Sequence, residues 1–207
     1  EDSVAAIANV IEGPILTLGA ITGKADELAG GYDSIAPLVF KGRVFGYPLS
    51  RGSDVWDIYN PNSSTATYTI YNYNGSGVLS GSTTGSLAAE SRAEVSYDVN
   101  FGLIVSDQDI LVNYSVNDST DSALLMRASN SIIGINSRTT EVGITEDNTT
   151  VNVYYSDGNT ASFTANAGEA VKVETGNANQ GNANGVHVVA DKPIVGNCQA
   201  DGDGNDS

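Results

Sequence analysis

The amino-acid sequence predicts an all-β protein, two tandem β-sandwich-like units of about 85 residues preceded by a shorter N-terminal segment. Three observations carry that expectation. Of 207 residues, 23 are Gly and 10 are Tyr, with one Trp, one Met and one His, and only 16% are charged. A helical cytosolic enzyme carries far more Glu, Lys and Arg. Short stretches alternate small polar and larger residues with a period of two, and turn residues bound them. The chain also repeats itself.

The repeat is legible strand by strand. Gly102-Leu-Ile-Val-Ser-Asp-Gln-Asp-Ile-Leu-Val-Asn113 answers Gly185-Val-His-Val-Val-Ala-Asp-Lys-Pro-Ile-Val-Gly-Asn197, with Asp107 on Asp191, Ile110 on Ile194 and Asn113 on Asn197. Thr67 to Gly75 answers Thr150 to Gly158, and Leu87 to Val95 answers Ala165 to Val173. Asp33 to Lys41 pairs with Asp121 to Arg127, and Gly13-Pro-Ile-Leu16 resembles Lys192-Pro-Ile-Val195. These matches set three segments: residues 1–34, a partial repeat and strand-exchange arm; 35–122, the first unit; and 123–207, the second. On this reading the sequence would open on the tail of one unit and stop where a counterpart of Ala123 to Arg127 is expected, as an excerpt of a longer repeat array would, or as a chain whose N-terminal segment completes the fold would.

Taken in order, the apolar stretch from Val4 to Ile21 is broken by Asn9, Glu12, Gly13 and Pro14. A spanning helix needs about 20 mostly apolar residues, so no membrane insertion is expected. Apolar residues at 4, 7, 8 and 11 suit a helix over Val4 to Ile11, and a buried strand from Ile7 to Leu18 suits the same residues. Thr65 to Tyr71 alternates as a strand, and Asn74-Gly75 closes it into a hairpin, as Asp157-Gly158 does in the second unit. Leu103 to Val105 and Ile110 to Val112 flank a Ser-Asp-Gln turn. Val151 to Tyr155, Ala170 to Val173 and Val186 to Val189 are further strands. The polar run from Asn177 to Asn184 reads as a loop.

Nine basic against 25 acidic residues leave a net charge of −16. Phosphate binding needs a basic surface, so nucleic acid is excluded as a partner and anionic membranes are disfavoured. No nucleophile elbow, P-loop, dinucleotide fingerprint or His-Glu-x-x-His motif is present. One His and one Cys cannot build a zinc site. His187 is expected as an outward or satisfied strand residue, and Cys198 as a small buried hydrophobe. Asp54, Asp57, Asp107, Asp109 and Glu169 stand at turns and strand ends, and two facing carboxylates would suffice for a glycosidase. Trp56 with Tyr59 either fills the core or offers a sugar-stacking face. Asp201, Asp203, Asn205 and Asp206 place oxygen ligands at near-alternate positions around glycines, a pattern suited to calcium. Asn62, Asn74, Asn113, Asn117, Asn148 and Asn205 begin glycosylation sequons. The many tyrosines suit half-buried faces and subunit contacts.

Ala-Pro-Leu-Val-Phe-Lys (36–41), Ile-Tyr-Asn-Pro-Asn (58–62), a Tyr-rich strand ending in Asn-Gly, Leu-Ala-Ala-Glu-Ser (87–91) and Val-Ala-Asp-Lys-Pro-Ile-Val (189–195) follow one another in this order. The series resembles the repeated β-sandwich modules of secreted bacterial and archaeal cell-surface proteins, including the IgGFc-binding-like group. That resemblance implies an extracellular structural or adhesive role with no catalytic residues. The expected function is a self-assembling subunit of a surface filament, sheath or surface layer, joined to copies of itself head-to-tail by strand complementation. The alternative is a monomeric module binding glycans or surface proteins, with a carboxylate-dependent glycosidase third. A secreted setting also fits an N-terminus such as Glu1, which removal of a signal peptide would leave.

Overall fold

The computed structural model describes residues 40–48, 54–97, 101–116, 122–134, 139–173 and 185–199. Among them are thirteen strands and no α-helix. β1 (Gly42–Tyr47), β2 (Asp54–Tyr59), β3 (Ala66–Tyr73), β4 (Leu79–Leu87), β5 (Arg92–Tyr97), β6 (Phe101–Val116) and β7 (Ser122–Leu124) form the first unit. β8 (Ser129–Gly134), β9 (Thr139–Ile144), β10 (Thr149–Tyr155), β11 (Thr160–Ala165), β12 (Ala170–Val173) and β13 (Val186–Gln199) form the second. The predicted helix or strand between Val4 and Leu18, the arm 1–34 and the loop 177–184 lie outside the described residues.

Each unit is organised on one long strand. The sequence suggests two short strands around a Ser-Asp-Gln turn; they are instead one 16-residue strand, β6. Its first half pairs antiparallel with β1 and β3, and its second half with β2 and β7. Asp107-Gln108-Asp109 is the corner between them. A turn there would reverse the chain, whereas here the backbone stays extended and carries the strand from one sheet to the other. The resulting order β4-β3-β6-β2-β5 recurs as β11-β10-β13-β9-β12, with β8 on β13 where β1 lies on β6.

The corner explains the Asp repeat. Ladder pairing of β3 to β6 stops at Tyr68↔Ser106, and the next backbone donor, Thr67 N–H, bonds the Asp107 carboxylate at 2.8 Å. In the second unit Thr150 N–H bonds Asp191 at the same 2.8 Å. A side-chain acceptor therefore satisfies the backbone donor where the strand leaves its neighbour. Pro193, which has no N–H to satisfy, sits two residues on in the second corner. These anchors place Ile104 opposite Ile70 and Val188 opposite Val153. Gly185 therefore corresponds to Phe101, not Gly102, a shift of one from the sequence match.

Period-two alternation sets which residues face inward. Ala66, Tyr68 and Ile70 of β3, and Thr149, Val151 and Val153 of β10, are buried. The first core gathers Phe45, Trp56, Ile58, Ile104, Ile110 and Val112 between the two halves of the strand system. The second gathers Val142, Ile144, Val151, Val188 and Ile194. The outer strands β4, rich in Ser, Thr and Gly, and β11, with Ser and Thr, are mostly exposed, a composition that keeps outer strands soluble.

Asn60 marks one divergence between the units. Fully buried, it donates from Nδ2 to the carbonyls of Ser64, Leu87 and Ala88 at 2.8–3.1 Å, and its Oδ1 accepts from Asn62. Its backbone N–H bonds Ser91 O, as Ile144 N–H bonds Glu169 O in the second unit. One unit closes this loop with a buried amide and the other with an isoleucine.

Candidate assembly interface

Four of the five carboxylates singled out for catalysis hold bonds within the fold. Asp57 accepts two hydrogen bonds from Arg92, at 2.8 and 3.1 Å, across the β2–β5 ladder. Asp109 pairs with Arg43 at 3.4 Å, and Glu169 accepts Asn166 N–H within its own turn. Asp107 bonds Thr67 as described; Asp54 is a strand residue opposite Tyr97. Two concavities on the described surface, one along β10 and β11 and one beside β3 and β6, hold one carboxylate between them, Asp107. Trp56 is fully buried in the first core, and Tyr59 is half-buried on the same strand. The pair therefore presents no indole face for sugar stacking.

His187 lies on the exposed face of β13, where its ring nitrogen is 2.8 Å from Ser131 Oγ and its ring is 6.0 Å from that of Tyr154. Ile133 and Tyr154 flank it on the neighbouring strands, 65% and 48% exposed. Cys198 pairs in register with Thr140. Among the described residues, no cluster of three metal-ligating side chains occurs. The calcium candidates Asp201, Asp203, Asn205 and Asp206 lie outside those residues. Of the sequons, Asn62 is tied down, its Nδ2 bonding Asn60 Oδ1 and Asp109 O. Asn74 is exposed at the hairpin, its Oδ1 accepting from Ser76 and Val78.

What the structure does assemble is a contact between the units. Phe101 and Val195 are buried side chains from different units, and with Leu103 they form a third core. Two glycines permit the approach. A Cβ on Gly46 of β1 would lie 2.9 Å from Val195 Cγ2 and 3.0 Å from Phe101 Cε2. A Cβ on Gly143 of β9 would lie 2.7 Å from Phe101 Cζ. Around this centre Asn197 Nδ2 donates to Tyr47 Oη at 3.0 Å, and Tyr47 stacks on Tyr114 with ring centroids 4.0 Å apart. On the flank, the Tyr73 ring fills the space over Gly168, whose φ of +86° already favours glycine.

Tyr73 has a titration consequence. Burial first, then Tyr71 and the Asp147 carboxylate, push its pKa above the usual 10.0, and burial does the same to Tyr68. A phenol whose folded pKa is raised contributes stability below the unfolded value and loses it as pH rises through the folded one. Urea unfolding is therefore expected to show stability constant to about pH 9 and falling above about pH 10. Tyr73→Phe should flatten part of that decline; an identical alkaline decline in the variant would refute the assignment.

The second feature is an edge. β7 pairs with Asn113, Tyr114 and Ser115 on the side of β6 away from β2. The corresponding stretch of β13 pairs with β9 on one side, and among the described residues no strand pairs with the other. No helix among them is long and apolar enough to cross a membrane. Comparison with protein-family models, curated proteins and solved structures finds no match.

Proposed function

We propose that this chain is a structural subunit that assembles with copies of itself, head-to-tail, into an extracellular filament, sheath or surface layer. The observation that carries this reading is the pair of edges. Two units share one strand order, yet the edge that β7 covers in the first has no described partner in the second. An unpaired strand edge is a template for another chain, and main-chain bonds supply the affinity. The contact between units within the chain, a small apolar centre with a polar rim, supports this reading as a pattern for seating one module on the next. Because the second unit of one copy meets the first unit of another, the contact is heterologous and does not close by a two-fold axis.

Negative-stain microscopy of the purified chain, with size-exclusion at rising concentration, tests this directly. Filaments or sheets are expected. A persistent monomer that binds glycans would instead establish the adhesin reading.

Charge sets the conditions. With a net charge of −16, copies repel one another, and salt screens that repulsion over a Debye length of about 8–10 Å near physiological ionic strength. Polymers are therefore expected to be more abundant at 150 mM than at 10 mM salt in sedimentation assays. Equal yields at both would count against close contact between like-charged copies.

A further inference from the structure

The strand that closes the first unit has its sequence match at the start of the chain. In unit 1, β7 pairs Ser122 with Ser115, Ala123 with Tyr114 and Leu124 with Asn113. Leu125 N–H extends the contact to Val112 O at 3.1 Å. The corners align Val112, Asn113, Tyr114 and Ser115 with Gly196, Asn197, Cys198 and Gln199. β1 and β8 align through their partners on the long strands, Gly42 on Ser129 and Val44 on Ser131. Carried back without a gap, that register sets Leu38 on Leu125, Pro37 on Leu124, Ala36 on Ala123 and Ile35 on Ser122. It replaces the match of Asp33 with Asp121, and moves the exchanged strand just beyond the arm 1–34.

We propose that Ile35 to Leu38 of a second copy adds antiparallel to the edge of β13 that has no partner among the described residues, with Ala36 opposite Cys198 and Pro37 opposite Asn197. This rests on the assembly reading above and supplies the segment and register that join the copies.

Proline chooses the register. The bond from Leu125 N–H to Val112 O makes Val112 and Leu125 a hydrogen-bonded pair. Antiparallel alternation then makes Asn113 and Leu124 a non-bonded pair, and Tyr114 and Ala123 the next bonded one. The N–H of Leu124 is thus turned away from β6, and Pro37, in the same position on β13, removes no ladder bond. A slip of one residue would put proline where a donor is required. The template also continues past the strand: Ala128 N–H bonds Val44 O at 2.8 Å, which the same register repeats as Lys41 to Ser131 of the other copy.

Cys198 is the only cysteine in the chain, so it reports on this contact. Ala36→Cys would place a thiol opposite it at a bonded-pair Cα separation of about 5.5 Å, within disulfide reach. Mild oxidation of the assembled full-length variant should give a ladder of reducible oligomers on a denaturing gel. The ladder should vanish in A36C/C198S and fall at least tenfold in Ile35→Cys. In parallel, Ala36→Pro, which removes a donor facing β13, should abolish polymers, while Pro37→Ala should keep them. A ladder that survives C198S, or is as strong with I35C, overturns the proposal. So does a disulfide confined to monomers, which would mean the chain's own segment fills the edge. Polymers that form without the A36C ladder overturn this register and leave the assembly reading standing. Absence of polymers in the unmodified chain overturns both.

Discussion

Replacing Trp56 with alanine lowers the unfolding free energy of the first unit by about 3–5 kcal/mol, the range for removing a large buried aromatic. Trp56 is completely buried, and its cross-strand neighbours on either side are Val95 and Tyr114. The cavity is bounded by β-ladders on both edges, which limits how far it can collapse. Its effect stays local, because the first core and the second share no side chain. For a unit of about 85 residues, 1 kcal/mol is worth about 4–8 °C, so a shift beyond about 12 °C is expected. In the unmodified chain the single tryptophan reports on unit 1 alone. In the variant, circular dichroism should show an early transition for unit 1 and a later one for unit 2. A change under 1 kcal/mol would place Trp56 outside the core.

Phe101→Ala acts on the junction. Phe101 is 1% exposed, stacks on Tyr73 with centroids 5.8 Å apart, and lies against Val195 between two glycine backbones. Removing it costs about 3–5 kcal/mol and cuts the apolar link between the units. The signature differs from that of Trp56→Ala: each core stays intact, and what is lost is their coupling. Calorimetry should show thermal unfolding of the two units moving apart, and proteolysis should fall between them. Gly143→Val should have a similar effect by the opposite route, since its side chain would overlap the Phe101 ring. Unfolding that remains as cooperative in both variants as in the parent would show the third core to be energetically idle.

Much of this was legible in sequence because strands write their burial in alternate residues. Ala66, Tyr68 and Ile70 face inward as their spacing requires, and Asn74 shapes its hairpin with a side-chain oxygen that bonds two backbone donors. The pairing of Asp107 with Asp191 was visible as identity and has a physical basis, one backbone donor satisfied at each corner. The corner itself was not legible. Ser-Asp-Gln reads as a turn from local propensity, and only pairing with strands distant in sequence holds it extended. Whether Trp56 is buried is not legible locally for the same reason. Val-Trp-Asp-Ile-Tyr alternates whichever face is buried, and the sheet that covers it is built from β1, β3 and the first half of β6.

The carboxylates illustrate a further limit. Asp57, Asp107 and Asp109 are alike in type and all lie on strands, yet each meets a different partner from another strand. Nothing local specifies those meetings. By itself the sequence determined an all-β chain, its division into two like units and its strongly acidic character. Those properties depend on composition, period and self-similarity, which survive without knowledge of contacts. Tertiary structure alone decided that one bent strand serves both sheets of a unit, that Phe101 and Val195 meet over two glycines, and that one long-strand edge is covered while its counterpart has no described partner. These depend on which backbone donors and apolar faces find each other across long stretches of chain. Hydrogen-bond satisfaction and close packing settle that choice only once the whole chain is assembled.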